Sequence, residues 1–182
     1  MSTRRFRRPS RDGGQSLAEF ALVAPIFFLM LFAVIELALI MGGQNGLVAS
    51  ARELARYAAT FRVASATDAT AVCNLASNPD RGFTQQLNGF MSAQMPGYSA
   101  SNWSTGERTV TYSWHPNADG TYFVQLEIHV IYHHPLYVPL VGAFLDQLDG
   151  SGDGKFRLDA TETMRIENDG LANTYGDVSC NV

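Results

Sequence analysis

Residues 21–41 read ALVAPIFFLMLFAVIELALIM and contain one charged side chain, Glu36, and one proline, Pro25. A helix of about 20 apolar residues crosses the ~30 Å hydrocarbon layer of a bilayer at a rise of 1.5 Å per residue. A buried helix of a soluble core is the alternative, but this run is apolar on every face. A removable signal sequence has a shorter apolar region, of about 7–15 residues, followed by a small-residue cleavage site. The run therefore predicts a retained membrane helix.

Basic residues cluster on the N-terminal side of this run. The chain has 13 Lys+Arg and 17 Asp+Glu, a formal net charge of −4. Five of the basic residues and one acidic residue lie within residues 1–14, so the rest of the chain carries 8 basic and 16 acidic side chains. An excess of acidic side chains of this size is not typical of a nucleic-acid-binding protein. The arginine cluster predicts a cytoplasmic N-terminus and export of everything that follows the membrane helix.

The junction between the basic segment and the apolar run reads RDGGQSLAEF over residues 11–20. Gly14 ends the polar stretch, Glu19 is the fifth residue after it, and Phe20 follows at the start of the apolar run. This arrangement resembles a class III signal peptide, the kind of leader that prepilin peptidases remove. Such a peptidase cuts before the apolar run, so the membrane helix stays in the mature protein.

The resemblance continues along the helix, through LVAP at 22–25 and AVIE at 33–36. Residues 15–41 look like the TadE family of pseudopilins, which belongs to the tight-adherence (Flp, type IVb) pilus systems. This resemblance implies cleavage between Gly14 and Gln15 by a prepilin peptidase. It also implies partners among other pilins or pseudopilins and the assembly proteins of a bacterial inner membrane.

Two glutamates accompany the apolar run. The resemblance implies that Glu19 pairs with the N-terminal amine of a neighbouring subunit after cleavage; the alternative is a charge that favours the helix macrodipole by about 0.3–1 kcal/mol. A carboxylate at the centre of a membrane helix costs about 2.5–3.5 kcal/mol on insertion scales. Glu36 lies near the exported end of the run, where it could reach the interface or meet a polar group on a partner helix. Both interpretations of Glu36 remain open at this point.

The helix is predicted to continue beyond the membrane. Three glycines, Gly42, Gly43 and Gly46, suggest a loosened exit, and helical spacing then returns. An apolar stripe at intervals of three and four residues comprises Leu47, Ala51, Leu54, Ala58 and Phe61. The stripe is either the seam on which the exported domain packs or a contact between subunits.

The exported part is predicted to be an α+β domain. Helical spacing predicts a helix over 84–95, and alternating apolar residues predict strands at 108–114, 122–132 and 156–166. The turn at 116–120 makes the first two strands a hairpin, and a segment over 136–148 crosses to the third. Period-two alternation with one apolar face suits an antiparallel sheet that is covered on one side, by one or two further helices. The predicted divisions are a leader at 1–14, the membrane helix and its extension at 15–62, and the exported domain at 63–182.

The sequence contains two cysteines, Cys73 and Cys180. In an exported domain they are expected to form a disulfide that ties the loop after the long helix to the C-terminal tail. Free thiols at a catalytic site are the alternative, but no CxxC spacing supports it.

Two other patterns raise the question of a metal. Asp149, Ser151 and Asp153 copy positions 1, 3 and 5 of a calcium loop, but position 12 is Ala160 instead of glutamate. A Gly/Asp-rich turn before a strand is the preferred interpretation, and weak calcium binding is the alternative.

Three histidines, His129, His133 and His134, form the second pattern. A zinc site would need further ligands from another element, so exposed histidines on a polar strand face are preferred. No metal and no cofactor are expected.

The sequence shows no Ser/His/Asp order, phosphate loop or CxxC motif, so an enzyme is not predicted. The leading hypothesis is a pseudopilin-like component of a tight-adherence pilus assembly or secretion system. One alternative is a membrane-anchored envelope binding module whose leader is never cut. Another is a metal-dependent envelope hydrolase.

Overall fold

A computed structural model describes the chain over residues 12–76, 82–103, 106–150 and 152–181. Within these ranges the helices are α1 (Asp12–Ala59), α2 (Ala66–Ala76), α3 (Phe83–Gln94) and α4 (Pro139–Asp149). The strands are β1 (Arg108–Pro116), β2 (Tyr122–Pro135), β3 (Lys155–Leu171) and β4 (Val178–Asn181). The predicted α+β class, with a long N-terminal helix followed by an antiparallel sheet, is confirmed. Three shorter α-helices accompany the sheet in the described ranges, instead of the one or two expected.

The sheet follows from the period-two alternation of its strands. Its order is β3-β2-β1-β4, and every neighbouring pair is antiparallel. Val110 lies opposite Ile128, and Tyr112 lies opposite Leu126, so that apolar side chains from β1 and β2 meet on one face. Gly120 closes the β1–β2 hairpin with a φ of 82°, a left-handed conformation that glycine adopts without steric cost.

The C-terminal half of α1 covers the apolar face of the sheet together with α3. Leu47, Ala51, Leu54 and Ala58 are each 0% exposed and belong to the same core as β1 and β2. The apolar stripe therefore packs within the chain, as the first of its two interpretations predicts. Arg52 lies off the stripe, and its Nε donates to Glu162 Oε1 on β3 at 2.8 Å.

The N-terminal half of α1, residues 16–35 and called its bare half below, has no such cover among the residues that the structure describes. Over residues 16–35 its large apolar side chains are exposed, from 42% for Leu31 to 72% for Leu22. The helix is long and apolar enough to cross a membrane, and this one candidate span among the described residues suggests single-pass anchoring.

The predicted loosening at Gly42, Gly43 and Gly46 is wrong, because α1 runs through all three without a break. The glycines instead permit close packing. A Cβ added at Gly43 would lie 2.6 Å from His134 Cδ2, and one added at Gly46 would lie 2.7 Å from the carbonyl oxygen of Gln94. At both positions a neighbouring element approaches the α1 backbone more closely than a methyl group allows.

The segment after α1 was expected to be a loop, but residues 66–76 form α2. Its start is a capping box: Ser65 Oγ accepts from the Asp68 amide at 3.2 Å, and Asp68 Oδ2 accepts from the Ser65 amide at 3.1 Å. The pattern Ser-x-x-Asp was readable in the sequence and is the signal that could have located this helix. The short strand β4 was also missed, since its four residues carry no extended alternation.

Candidate functional site at the membrane helix and its junctions

The predicted processing residues lie in the first turns of α1. The helix begins at Asp12, so Gly14 and Gln15 are already helical, and Glu19 and Phe20 follow in the next turns with both side chains exposed. Gln15 and Glu19 are four residues apart and occupy the same helix face, about 6 Å apart along the axis. The arginine cluster of the leader, residues 1–11, lies outside the described residues.

Glu36 lies between the exposed part of α1 and the part that packs against the sheet and α3. Its side chain is fully buried, although most of its α1 neighbours on either side are exposed. Glu36 Oε1 accepts a hydrogen bond from the Tyr137 amide at 2.9 Å, and Oε2 accepts one from the Val138 amide at 3.0 Å. The interpretations from the sequence named the membrane interface or a polar group on a partner helix, and the structure adds a partner that neither of them named. The carboxylate binds two backbone amides of its own chain.

These two amides stand immediately before α4, where a helix leaves donors without intrahelical partners. Pro139 occupies the first turn of α4, and Val138 offers no side-chain cap of its own. The Glu36 carboxylate therefore caps the start of α4, although it belongs to α1. Its negative charge also interacts favourably with the positive end of the α4 dipole. Burial raises the pKa of Tyr137, and the nearby Tyr132 and Glu36 raise it further.

His134 holds the neighbouring turn of α1 against the sheet. The side chain is 0% exposed, with Nε2 at 3.3 Å from the Pro96 carbonyl and Nδ1 at 2.9 Å from that of Pro135. The expectation of an exposed histidine is wrong here, because β2 turns this side chain towards Gly43 of α1. A glycine on the helix and a buried ring on the strand together set how closely α1 approaches the sheet.

The other two of these histidines lie on the polar side of β2, and each lies close to a carboxylate. His129 Nε2 lies 3.1 Å from Asp159 Oδ2, and His133 Nε2 lies 2.9 Å from Glu107 Oε1. His133 Nδ1 also lies 3.4 Å from Asp153 Oδ2, and the His133 side chain is only 14% exposed. His133 is therefore more buried than the sequence suggested, and its carboxylate neighbours account for that.

The calcium-loop pattern is described only in part. Ser151 and the side chain of Asp149 lie outside the described residues. Asp153 Oδ1 accepts from the Lys155 amide at 3.0 Å, and the Asp153 amide donates to Asp146 Oδ1 at 3.1 Å. These bonds are those of a tight turn leading into β3. In the parts of the chain that the structure describes, no group of three or more His, Cys, Asp or Glu side chains could hold a metal ion.

Cys73 and Cys180 form a disulfide in the structure, with their Cα atoms 5.5 Å apart. Cys73 lies on α2 and Cys180 on the edge strand β4, so the bond joins a helix to a strand where a loop and a tail were expected. The link closes a separation of 107 residues and fixes α2 against the end of the sheet.

The most informative feature of the site could not be read from the sequence. The pairing of Glu36 with the start of α4 joins residues 101 and 102 positions apart. A glutamate near the end of an apolar run signals a polar contact, because a buried carboxylate needs hydrogen-bond partners. Nothing in the pattern specifies that those partners lie in the crossover between β2 and β3.

Comparison with known proteins connects the N-terminal part of this geometry to a family. Neither the curated proteins nor the solved structures contain a significant match to the chain. The family model described as TadE-like protein matches residues 14–56. This match begins at the glycine of the predicted processing site, includes Glu19 and Glu36, and ends in the covered half of α1. TadE-like proteins are pilus components and not a known enzyme family. The resemblance read from the sequence is thus confirmed for this segment: residues 14–56, which lie within α1, are similar to TadE-like proteins.

Proposed function

We propose that the chain is a pseudopilin-like component of a tight-adherence (Flp, type IVb) pilus assembly, and that a prepilin peptidase cuts it between Gly14 and Gln15. The observation that carries the proposal is the TadE-like match beginning at Gly14. The bare helix supports it, because a segment with exposed apolar side chains over residues 16–35 is a membrane anchor and not part of a soluble core.

The orientation follows from the charge distribution. With five arginines before the span, the N-terminus lies in the cytoplasm, where the peptidase would act, and the sheet lies on the periplasmic side of the bacterial inner membrane. The disulfide between Cys73 and Cys180 fits that side, because disulfides persist in oxidising compartments.

Glu19 has a defined task in this proposal. Cleavage creates an ammonium group at Gln15, one helical turn from Glu19 on the same face. In a low-dielectric setting the Glu19 carboxylate attracts the corresponding ammonium group of an adjacent subunit far more strongly than it would in water. The partners of α1 are then the N-terminal helices of other pilins or pseudopilins, together with inner-membrane assembly proteins.

The variant Glu19→Gln tests the assembly role. Removing a charge from the edge of the apolar run leaves insertion intact. Crosslinking of α1 to partner subunits should fall together with piliation, because a neutral amide cannot neutralise a neighbour's ammonium group. The matched control is Glu53→Gln, the same chemical change about 50 Å further along the helix.

The two variants should differ clearly. Wild-type piliation and crosslinking in the Glu19→Gln strain would contradict the assembly role of this carboxylate. An equal loss in both variants would point instead to a general defect of the long helix.

A further inference from the structure

Helix α4 carries an apolar surface that the described residues of the chain leave uncovered. Leu140, Phe144 and Leu148 recur at intervals of four residues and are 70%, 64% and 67% exposed. The opposite side of the helix, with Val141 and Leu145, packs into the core at 9% and 8% exposure. Three large apolar side chains in a row, all exposed to water on a short helix, are unusual on a protein surface. Exposed apolar patches of this kind mark interaction sites.

Helix α4 lies next to the membrane span, which indicates the surroundings of its exposed apolar row. The start of the helix is tied to Glu36 of α1 by the Tyr137 and Val138 amides. Beyond that point, Val138, Leu140 and Val141 line an apolar groove whose other wall is the bare half of α1, at Pro25, Phe28, Leu29 and Phe32. The exposed surface of α4 is therefore continuous with the surface of the membrane span.

The composition of α4 fits the same environment. The helix carries two charged residues: Asp146, whose Oδ1 accepts a hydrogen bond from the Asp153 amide, and Asp149 at its C-terminal end, whose side chain lies outside the described residues. The exposed side consists of Leu140, Ala143, Phe144, Gln147 and Leu148. Because this surface carries no charge, it is not attracted to anionic headgroups, but its transfer into an apolar layer costs little free energy. Tyr137, 51% exposed beside the helix start, is a residue type enriched at the membrane–water interface.

We propose that α4 is an interfacial helix, which lies against the membrane with Leu140, Phe144 and Leu148 among the lipid acyl chains next to α1. Glu36 acts as the positioning residue, because its two hydrogen bonds hold the start of α4 at a fixed position along α1 and therefore at a fixed depth in the membrane. The exported domain is then held to the bilayer at two places, by α1 and by α4, and cannot swing freely about the end of α1. This proposal rests on anchoring by α1 and is independent of processing and pilus assembly.

The test measures lipid contact directly in the full chain. One copy per phosphatidylcholine nanodisc carries a nitroxide on a p-acetylphenylalanine at position 144, which leaves the disulfide untouched. The accessibility of the nitroxide to oxygen, which concentrates in lipid, is compared with its accessibility to a water-soluble nickel chelate. Position 27 on the bare half of α1 serves as the lipid reference, and position 118, exposed in the β1–β2 turn, serves as the water reference.

The oxygen-to-nickel ratio at position 144 should be several-fold above that at 118 and close to that at 27, and labels at 140 and 148 should agree. A ratio at 144 equal to that at 118 would place α4 in water and overturn the proposal. Low accessibility to both reagents would also overturn it, because another protein surface would then cover the helix. A water-like ratio at position 27 would overturn the anchoring by α1 itself, and the proposal with it.

Discussion

The two halves of α1 belong to one unbroken helix but meet different surroundings. Over residues 16–35 the helix is apolar on every face and its large side chains are exposed. From Glu36 onwards one face is buried against the sheet and α3, while Arg52 and Arg56 remain exposed on the other. Apolar residues in a helix can thus face lipid or protein, and their distribution around the helix distinguishes the two environments. Apolar residues on all faces indicate contact with lipid, and a stripe on one face indicates contact with protein.

The change occurs at Glu36, the first fully buried side chain of α1 from residue 16 onwards. A carboxylate at that position would be costly in hydrocarbon, and two backbone amides from the exported domain satisfy it. The comparison therefore predicts that substitutions of one kind act differently on the two sides of this residue.

The largest contrast is expected between Leu54→Ala and Leu22→Ala. Leu54 is 0% exposed in the core, so its truncation should lower the free energy of unfolding of the exported domain by about 2–5 kcal/mol. Leu22 is 72% exposed, and its truncation should change that quantity by less than about 0.5 kcal/mol. Urea unfolding in detergent micelles, followed by the fluorescence of Trp103 and Trp114, measures both. Equal losses would mean that the bare half also packs on the exported domain.

A smaller contrast separates two helical glycines. In Gly46→Ala the new methyl group would meet the backbone of Gln94 and Met95, and relieving this clash should cost about 1–3 kcal/mol of stability. Gly89 on α3 has no neighbour within 4 Å of an added Cβ, so Gly89→Ala should stabilise the domain by up to about 1 kcal/mol through helix propensity. The sign of the change, read from thermal unfolding of both variants, is the observable. Stabilisation by Gly46→Ala would contradict the close approach of α1 and α3.

The smallest effect on global stability is expected at Glu36, because α4 can detach without unfolding the sheet. Glu36→Ala leaves the Tyr137 and Val138 amides without acceptors, at about 1–3 kcal/mol for each buried donor. Hydrogen exchange at these two amides should accelerate about tenfold or more through local opening. Glu36→Gln keeps one acceptor oxygen and should show an intermediate rate. Unchanged exchange in both variants would show that the carboxylate does not hold α4.

Much of this architecture was predictable because the relevant forces are local or periodic. The apolar run, the stripe from Leu47 to Ala58 and the alternation in β1, β2 and β3 each reflect burial of one face, and each appears in the sequence as a period. The close approach at Gly43 and Gly46 was misread, because a helical glycine looks the same whether it loosens a helix or admits a neighbour. The partner of Glu36 lies about a hundred residues away, and no local pattern encodes a contact of that kind.

The role of the bare half of α1 is tested most directly by the mass of the mature protein. The chain is purified from membranes of cells with an active prepilin peptidase and, in parallel, of cells that lack it. We expect a chain that begins at Gln15 and retains α1 in the first case, and a chain that keeps residues 1–14 in the second. An uncut N-terminus in the presence of the peptidase would indicate an unprocessed membrane-anchored module. A mature chain that begins after Met41 would show that this apolar run is a removable signal and not a retained anchor.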